Sequence, residues 1–327
     1  MKCTNKHAVM WILLIAVLFL PGCGADSTSM AYQLDTPVSA FAVTQVADGS
    51  KAGAFARDLC VGTGSSLSGN SINVSDAEAA LLCDISDREV LYQKNAYQRM
   101  NPASLTKVLT AIVALKHGNP DDRLTASENV KIEESGASLA GIEPGDTMTL
   151  DQALHALLIP SGNDAAVMIA EHIAGSEEGF LAMMNEEAHE LGATGCHFMN
   201  PHGLTADDHY VTAYDMYLIF NEAIKYDEFL QIISQTEYTS IYHDSAGNPK
   251  TMEFKNTNNF LNGNHAVPDG VVVLGGKTGT TNAAGSCLVL LSKDSSGNPY
   301  ISVILKCSQR DYLYDEMYSL ISTINDQ

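Results

Sequence analysis

The apolar positions of residues 101–118 run too densely for a surface helix. Leu105, Val108, Leu109, Ile112, Val113 and Leu115 cover most of a helical circumference, so the pattern predicts a helix buried on nearly every side. Pro102 suits its first turn and Gly118 its end. Just upstream, short apolar runs at 79–83 and 90–92 flank the polar residues 84–89, which signals a hairpin. Downstream the period is helical over 150–159 up to Pro160, over 164–174 closed by Gly175, over 177–191 with Met183 and Met184 in its core stripe, and over 212–224. Beyond Asn264 the pattern turns to strands: 271–274 leads into the glycine-rich 275–281, and 287–291 and 301–305 flank the turn residues 294–299. A last amphipathic helix covers 313–324. Hairpin, helices, hairpin and helix predict an α+β fold, with an antiparallel sheet formed by both chain ends, packed with helices, and a helical insertion between them.

The N-terminus follows other rules. Lys2 and Lys6 precede residues 8–20, which are entirely apolar. A membrane span needs roughly 20 such residues, so this shorter run reads as the core of an export signal. It ends in Leu20-Pro21-Gly22-Cys23, which resembles a bacterial lipoprotein signal and implies removal of residues 1–22 and a lipid on Cys23. Residues 23–75, rich in Ala, Ser, Thr and Gly without a sustained period, read as a lipidated N-terminus and flexible linker. The body of the chain then occupies 76–327, which that resemblance implies is held by a lipid at the outer face of the cytoplasmic membrane.

With 327 residues, 45% of them hydrophobic, the chain is long enough to build a substantial core. A net charge of -21 argues against a nucleic-acid partner and leaves any anionic ligand to a few local cations. Cys60, Cys83, Cys196, Cys287 and Cys307 follow no disulfide or zinc spacing, and Cys83, Cys287 and Cys307 read as small core hydrophobes. There is no H-E-x-x-H pair, and His189, His197, His202 and His209 read as helix-surface or turn residues rather than ligands. The absence of G-x-S-x-G leaves a Ser-His-Asp elbow unsupported. No metal or cofactor is called for.

Ser104 and Lys107, three residues apart, share a face at the start of the buried helix, where backbone N–H groups are unpaired. A serine hydroxyl is a weak nucleophile until a base takes its proton, and lysine is that base only if its pKa falls from about 10.4 toward neutrality. Burial and a second cation would both lower it. Taken singly, Ser104 also reads as a helix cap, Ser161-Gly162-Asn163 as a corner between helices, and Lys277-Thr278-Gly279 as a strand end.

Together and in this order, S-x-x-K at 104–107, S-x-N at 161–163 and K-T-G at 277–279 form the signature of penicillin-binding proteins and class A β-lactamases. Pro102-Ala103, Pro160 with Asp164-Ala165-Ala166, Asn200-Pro201-His202-Gly203-Leu204, Thr280-Thr281 and Ala284-Gly285 narrow the match. Residues 76–327 closely resemble the serine D-alanyl-D-alanine carboxypeptidases, low-molecular-mass penicillin-binding proteins of the β-lactamase/transpeptidase-like superfamily.

That resemblance implies removal of the terminal D-alanine from peptidoglycan stem peptides ending in D-Ala-D-Ala, through an acyl-enzyme that β-lactam antibiotics also form. Ser104 would be the nucleophile, Lys107 its base, and Ser161 the relay to the departing D-alanine. Asn163 would orient Lys107 and the substrate amide. Lys277 would depress the proton affinity of Lys107 and attract the terminal carboxylate, which Thr278 and Thr280 hold. Backbone N–H groups of Ser104 and Thr280 would form the oxyanion hole, each worth about 3 kcal/mol of barrier. Gly275, Gly276 and Gly279 would leave the strand edge open for an added peptide strand. Two features depart from the family: Gly276 stands where an apolar residue is usual, and Thr280 where an aromatic residue or histidine is common. The C-terminal β domain and membrane helix of many members are also not expected, the N-terminal lipid replacing that anchor. A class A-like β-lactamase and a catalytically weak lipid-anchored binding protein are the rival readings. The first needs a carboxylate to activate the deacylating water, and Asn200-Pro201-His202-Gly203 lies near where that glutamate belongs.

Overall fold

The computed structural model describes residues 58–62 and 72–326. The expected export signal, Cys23 and most of the expected linker lie outside the described residues. In chain order the elements are β1 (Ala79–Asp84), β2 (Glu89–Lys94), α1 (Thr106–His117), β3 (Arg123–Thr125), β4 (Thr147–Thr149), α2 (Leu150–Leu158), α3 (Asn163–Ala174), α4 (Glu177–Glu190) and α5 (Ala213–Ala223). They continue with α6 (Asp227–Ser234), β5 (Glu237–His243), β6 (Pro249–Lys255), β7 (Val272–Thr281), β8 (Gly285–Lys293), β9 (Pro299–Cys307) and α7 (Arg310–Ser322).

Both chain ends build one five-stranded antiparallel sheet, in the order β2-β1-β9-β8-β7. Its strands send alternate side chains to two separate cores. Leu81, Cys83, Val289, Val303 and Leu305 join the core around α1 and α5, while Ala80, Leu82, Leu288, Leu290 and Ile304 meet α7. Burial on both faces explains why these strands read as solid apolar runs rather than alternating ones. The register pairs Lys277 with Val289 and Gly279 with Cys287; a slip of one residue would turn Lys277 to the other face.

Helix α1 is buried from Thr106 through Ala114, Lys107 included. A single 3-10 turn, Ala103–Leu105, precedes it, and the Gly118 N–H closes it on the Ala114 carbonyl at 2.9 Å. Helix α2 opens on a Thr149–Gln152 capping box and runs to Leu158, two residues before Pro160. Gly175 ends α3 at φ +76°, a left-handed conformation that glycine adopts without a Cβ clash.

The insertion between the two halves of the main sheet is richer than a set of helices. It holds α2–α6 and also a four-stranded sheet in the order β3-β4-β5-β6. Strands therefore begin well before Asn264, and α6 is a further element that periodicity did not reveal. Two pieces of the expected linker also touch the body. Cys60 is buried, its N–H bonded to Tyr217 Oη at 2.9 Å, and the Asn73 N–H bonds Ser319 Oγ at 2.9 Å. The five described cysteines are free thiols, and Cys83, Cys287 and Cys307 are fully buried in strands.

Candidate active site

The 3-10 turn that carries Ser104 is held from several sides. Ala103, its first residue, has φ +49°, a strained value for a residue with a side chain. Its carbonyl accepts a hydrogen bond from Thr106 Oγ1 at 2.8 Å, and Thr106 Oγ1 lies 3.1 Å from His209 Nε2. The threonine hydrogen is already used, so His209 must donate through Nε2, leaving Nδ1 as a buried acceptor without a partner among the described residues. Burial, and secondarily His197, pushes the His209 pKa down to about 4, which keeps the ring neutral. Gly203 lies against the same peptide: a Cβ there would come 1.9 Å from the Ala103 carbonyl oxygen.

Lys107 Nζ is 2.9 Å from Ser104 Oγ, 2.6 Å from Asn163 Oδ1 and 2.6 Å from the His202 carbonyl. The residue is completely buried, and burial drives its pKa well down, with the Lys277 cation adding to the fall and Asp164 opposing it. A neutral amine has two hydrogens and one lone pair. Deprotonated, Lys107 would give its hydrogens to the two carbonyl oxygens at 2.6 Å and turn its lone pair to the Ser104 hydroxyl.

A second lysine–serine pair lies near enough for its charge to act on Lys107. Lys277, on β7, donates to Ser161 Oγ at 2.8 Å and to the Thr278 carbonyl at 2.9 Å. Burial, then the Arg310 charge, lowers its pKa to about 7. Ser161 sits at the corner between α2 and α3 with φ +68° and is almost fully buried. The corner is fixed by Gly162 N–H on the Ala156 carbonyl at 3.0 Å and by Asn163 N–H on the Ser138 carbonyl at 2.8 Å. Asp164, next along, receives the N–H groups of Ala140, Gly141 and Ile142 at 2.8–3.0 Å, tying the preceding loop to the start of α3.

Gly279 brings β7 against Ser104: a Cβ would lie 3.0 Å from Ser104 N and 3.1 Å from the Pro102 carbonyl oxygen. Gly275 and Gly276 do something else than keep a strand edge open. Their missing side chains make room for the Ile233 carbonyl of α6, 2.7 Å from an added Cβ, and for the Val289 carbonyl of β8 at 2.2 Å. The glycine at 276 is therefore a packing requirement of this chain's own sheet.

Ser104, Asn163 and Thr280 line a cleft of about 250 Å³, walled by residues 134–138 and 203–205. Thr278 Oγ1 is 2.5 Å from Thr257 Oγ1, and the Thr257 carbonyl accepts from the Arg310 guanidinium. Thr257 and Arg310 escaped the sequence reading because neither stands in a motif. His202 and His209, expected as helix-surface or turn residues, do lie outside helices and strands but are buried, the His202 carbonyl on Lys107 and the His209 ring on Thr106; burial, with the Lys107 charge second, lowers the His202 pKa to about 3. Among the described residues no three His, Cys, Asp or Glu side chains group as a metal site. The arrangement can deprotonate a half-buried serine at the cleft and supply a second hydroxyl beside a lysine.

The D-alanyl-D-alanine carboxypeptidase family of peptidases S11 matches residues 68–309. The D-alanyl-D-alanine carboxypeptidase DacF of Bacillus subtilis is 38% identical over 224 residues, 67% of this chain and 54% of that protein. DacC of Escherichia coli, a carboxypeptidase of the same name, is 31% identical over 262 residues, 76% of this chain and 60% of the relative. The chain thus spans a little over half the length of these curated relatives. Among solved structures, the S96A mutant of the Streptomyces K15 DD-transpeptidase superposes with TM-score 0.73 at 26% identity, covering 78% of this chain and all of the other. The carboxypeptidase of Mycobacterium tuberculosis gives TM-score 0.68 at 28% identity, covering 78% and 93%. The helices and antiparallel sheet have the β-lactamase/transpeptidase-like arrangement, and the chain belongs to the D-alanyl-D-alanine carboxypeptidase family.

Proposed function

We propose that the protein is a serine D-alanyl-D-alanine carboxypeptidase that trims peptidoglycan stem peptides. The observation that carries this reading is the pair of lysine–serine hydrogen bonds, Lys107–Ser104 and Lys277–Ser161, with Ser104 lining the cleft. Neutral Lys107 takes the Ser104 proton as Oγ bonds to the carbonyl carbon of the penultimate D-alanine. Backbone N–H groups of Ser104 and Thr280 stabilise the oxyanion. The C–N bond then breaks; a proton relayed through Ser161 neutralises the leaving amine, and D-alanine departs. Lys277, with Thr278 and Thr280, holds the terminal carboxylate. Asn163 keeps Lys107 aimed and orients the substrate amide. Water hydrolyses the ester, and a β-lactam follows the first half of this path to leave a long-lived acyl-serine.

Residues 1–22 direct export, and Cys23 carries a lipid that anchors the enzyme at the outer face of the cytoplasmic membrane. The reading of residues 8–23 supports this part. D-alanine release from a pentapeptide ending in D-Ala-D-Ala, assayed with Ser104→Ala as control, tests the activity. Rapid consumption of penicillin without peptide hydrolysis would favour the β-lactamase reading instead.

A further inference from the structure

Residues 58–62 belong to the stretch expected as linker, yet three tyrosine hydroxyls grip their backbone. Tyr217 Oη accepts the Cys60 N–H at 2.9 Å, Tyr214 Oη donates to the Cys60 carbonyl at 2.8 Å, and Tyr97 Oη donates to the Gly62 carbonyl at 3.2 Å. The rings pack in a row, with centroids 5.1 Å apart for Tyr97–Tyr214 and 5.6 Å for Tyr214–Tyr217. Arg88, in the turn between β1 and β2, adds an ion pair to Asp58 at 3.5 Å. A spacer needs no such grip.

Within it, Cys60 is fully buried in the same core as Cys83 of β1. The Cys60 thiol donates to the carbonyl of Asp84, one residue beyond Cys83, at 3.1 Å, and the two thiols are hydrogen-bonding neighbours. With its own hydrogen on Asp84, the Cys60 sulfur has lone pairs to offer the Cys83 S–H. The other described cysteines bond to oxygen: Cys196 to the Ala193 carbonyl, Cys287 to the Ala284 carbonyl and Cys307 to the Asp76 carboxylate. The Cys83 hydrogen bond lowers the Cys60 pKa, while burial raises that of Cys83, so Cys60 is the more readily ionised of the two.

We infer that Cys60 and Cys83 are a dithiol that closes into a disulfide, pinning the chain at residue 60 to strand β1. The oxidant is another disulfide, acting by exchange. When residues 58–62 lift off the tyrosines, the Cys60 thiolate attacks one sulfur of the donor, and the donor's other sulfur leaves as a thiolate. As the segment settles back, Cys83 loses its proton and attacks Cys60 Sγ in that mixed disulfide, expelling the donor's second sulfur. Two thiols are oxidised to one disulfide, the donor disulfide is reduced to two thiols, and two protons pass from the first pair to the second. A pull on the chain upstream of residue 60 then reaches the sheet directly instead of peeling the segment away. The pairing is independent of the carboxypeptidase reading; the export reading bears only on where the chain meets an oxidant.

The test incubates the full chain with glutathione disulfide, caps the remaining thiols with iodoacetamide in denaturant, and maps the peptides by mass without reduction. The expected product is a Cys60 peptide joined to a Cys83 peptide, two hydrogen masses lighter than the two thiol peptides together. Its thermal midpoint should stand about 5 °C above that of the dithiothreitol-treated protein. Cys83→Ser should leave glutathione stranded on Cys60 without that rise, and in Cys60→Ser the Cys83 thiol should stay unmodified. Both cysteines recovered capped from the oxidised wild type, or Cys60 joined to a different cysteine, would overturn the inference. A linked pair with no rise in midpoint would overturn the pinning. Penicillin acylation of the reduced protein is a separate readout, so either result leaves the carboxypeptidase reading where it was.

Discussion

At Lys107 the direction of every effect follows from which groups surround the amine. Removing the neighbouring cation by Lys277→Ala should raise the Lys107 pKa, because that charge helps to lower it. The ascending limb of the pH profile for acylation by penicillin should then move to higher pH, as stopped-flow or mass measurements would show. Lys277 has a stability signature too. Its folded pKa of about 7 lies below the unfolded value of about 10.4, so between those pH values the unfolded chain binds the extra proton. Stability should rise with pH across that window, and Lys277→Met should flatten the slope in urea unfolding. Gly203→Ala places a Cβ 1.9 Å from the Ala103 carbonyl oxygen at φ +91°, so we expect a loss of about 2–4 kcal/mol and slow penicillin acylation. Side chains whose chemistry defines the motifs were legible in the sequence: Ser104, Lys107, Ser161, Asn163, Lys277 and Thr278 all converge. What was not legible acts through backbone or through missing atoms. The His202 carbonyl and the space at Gly203 leave no residue-type signal, and His209 looks like any turn histidine until Thr106 is found beside it.

Among elements, α1 and the main sheet were legible because burial on all sides leaves unbroken apolar runs. The second sheet was hidden because β5 and β6 are largely exposed and carry no continuous apolar run, and β5 does not alternate cleanly. A signal was available: Asp244-Ser245-Ala246-Gly247-Asn248-Pro249 nearly repeats Asp294-Ser295-Ser296-Gly297-Asn298-Pro299, the turn read correctly between β8 and β9. Both aspartates accept the N–H of the asparagine four residues on at 2.8 Å, and both glycines have positive φ, the same turn chemistry. The start of α3 joins elements to the site. Asp164→Ala would strand three loop N–H groups and should cost about 2–4 kcal/mol. Amide exchange at Ala140, Gly141 and Ile142 should quicken more than exchange in α1, which would locate the damage in the cleft loop.

On the scale of the molecule, β1 and β2 join β7–β9 in one sheet, so β7, which carries Lys277, is pressed against Ser104, more than 150 residues earlier. This closure makes the site dependent on the whole fold. The export proposal is separable from it. Cys23→Ala should remove the lipid and shift the expressed protein from the membrane fraction toward the soluble one, with penicillin labelling retained; membrane retention without lipid would speak for an uncleaved anchor.

The central claim is that Ser104 is an activated nucleophile, and intact-mass measurement after mixing with penicillin tests it most directly. The account predicts a persistent one-to-one adduct in the wild type that is missing in Ser104→Ala. Penicillin left unconsumed with no adduct on the wild type, or an equal adduct on the variant, would contradict it.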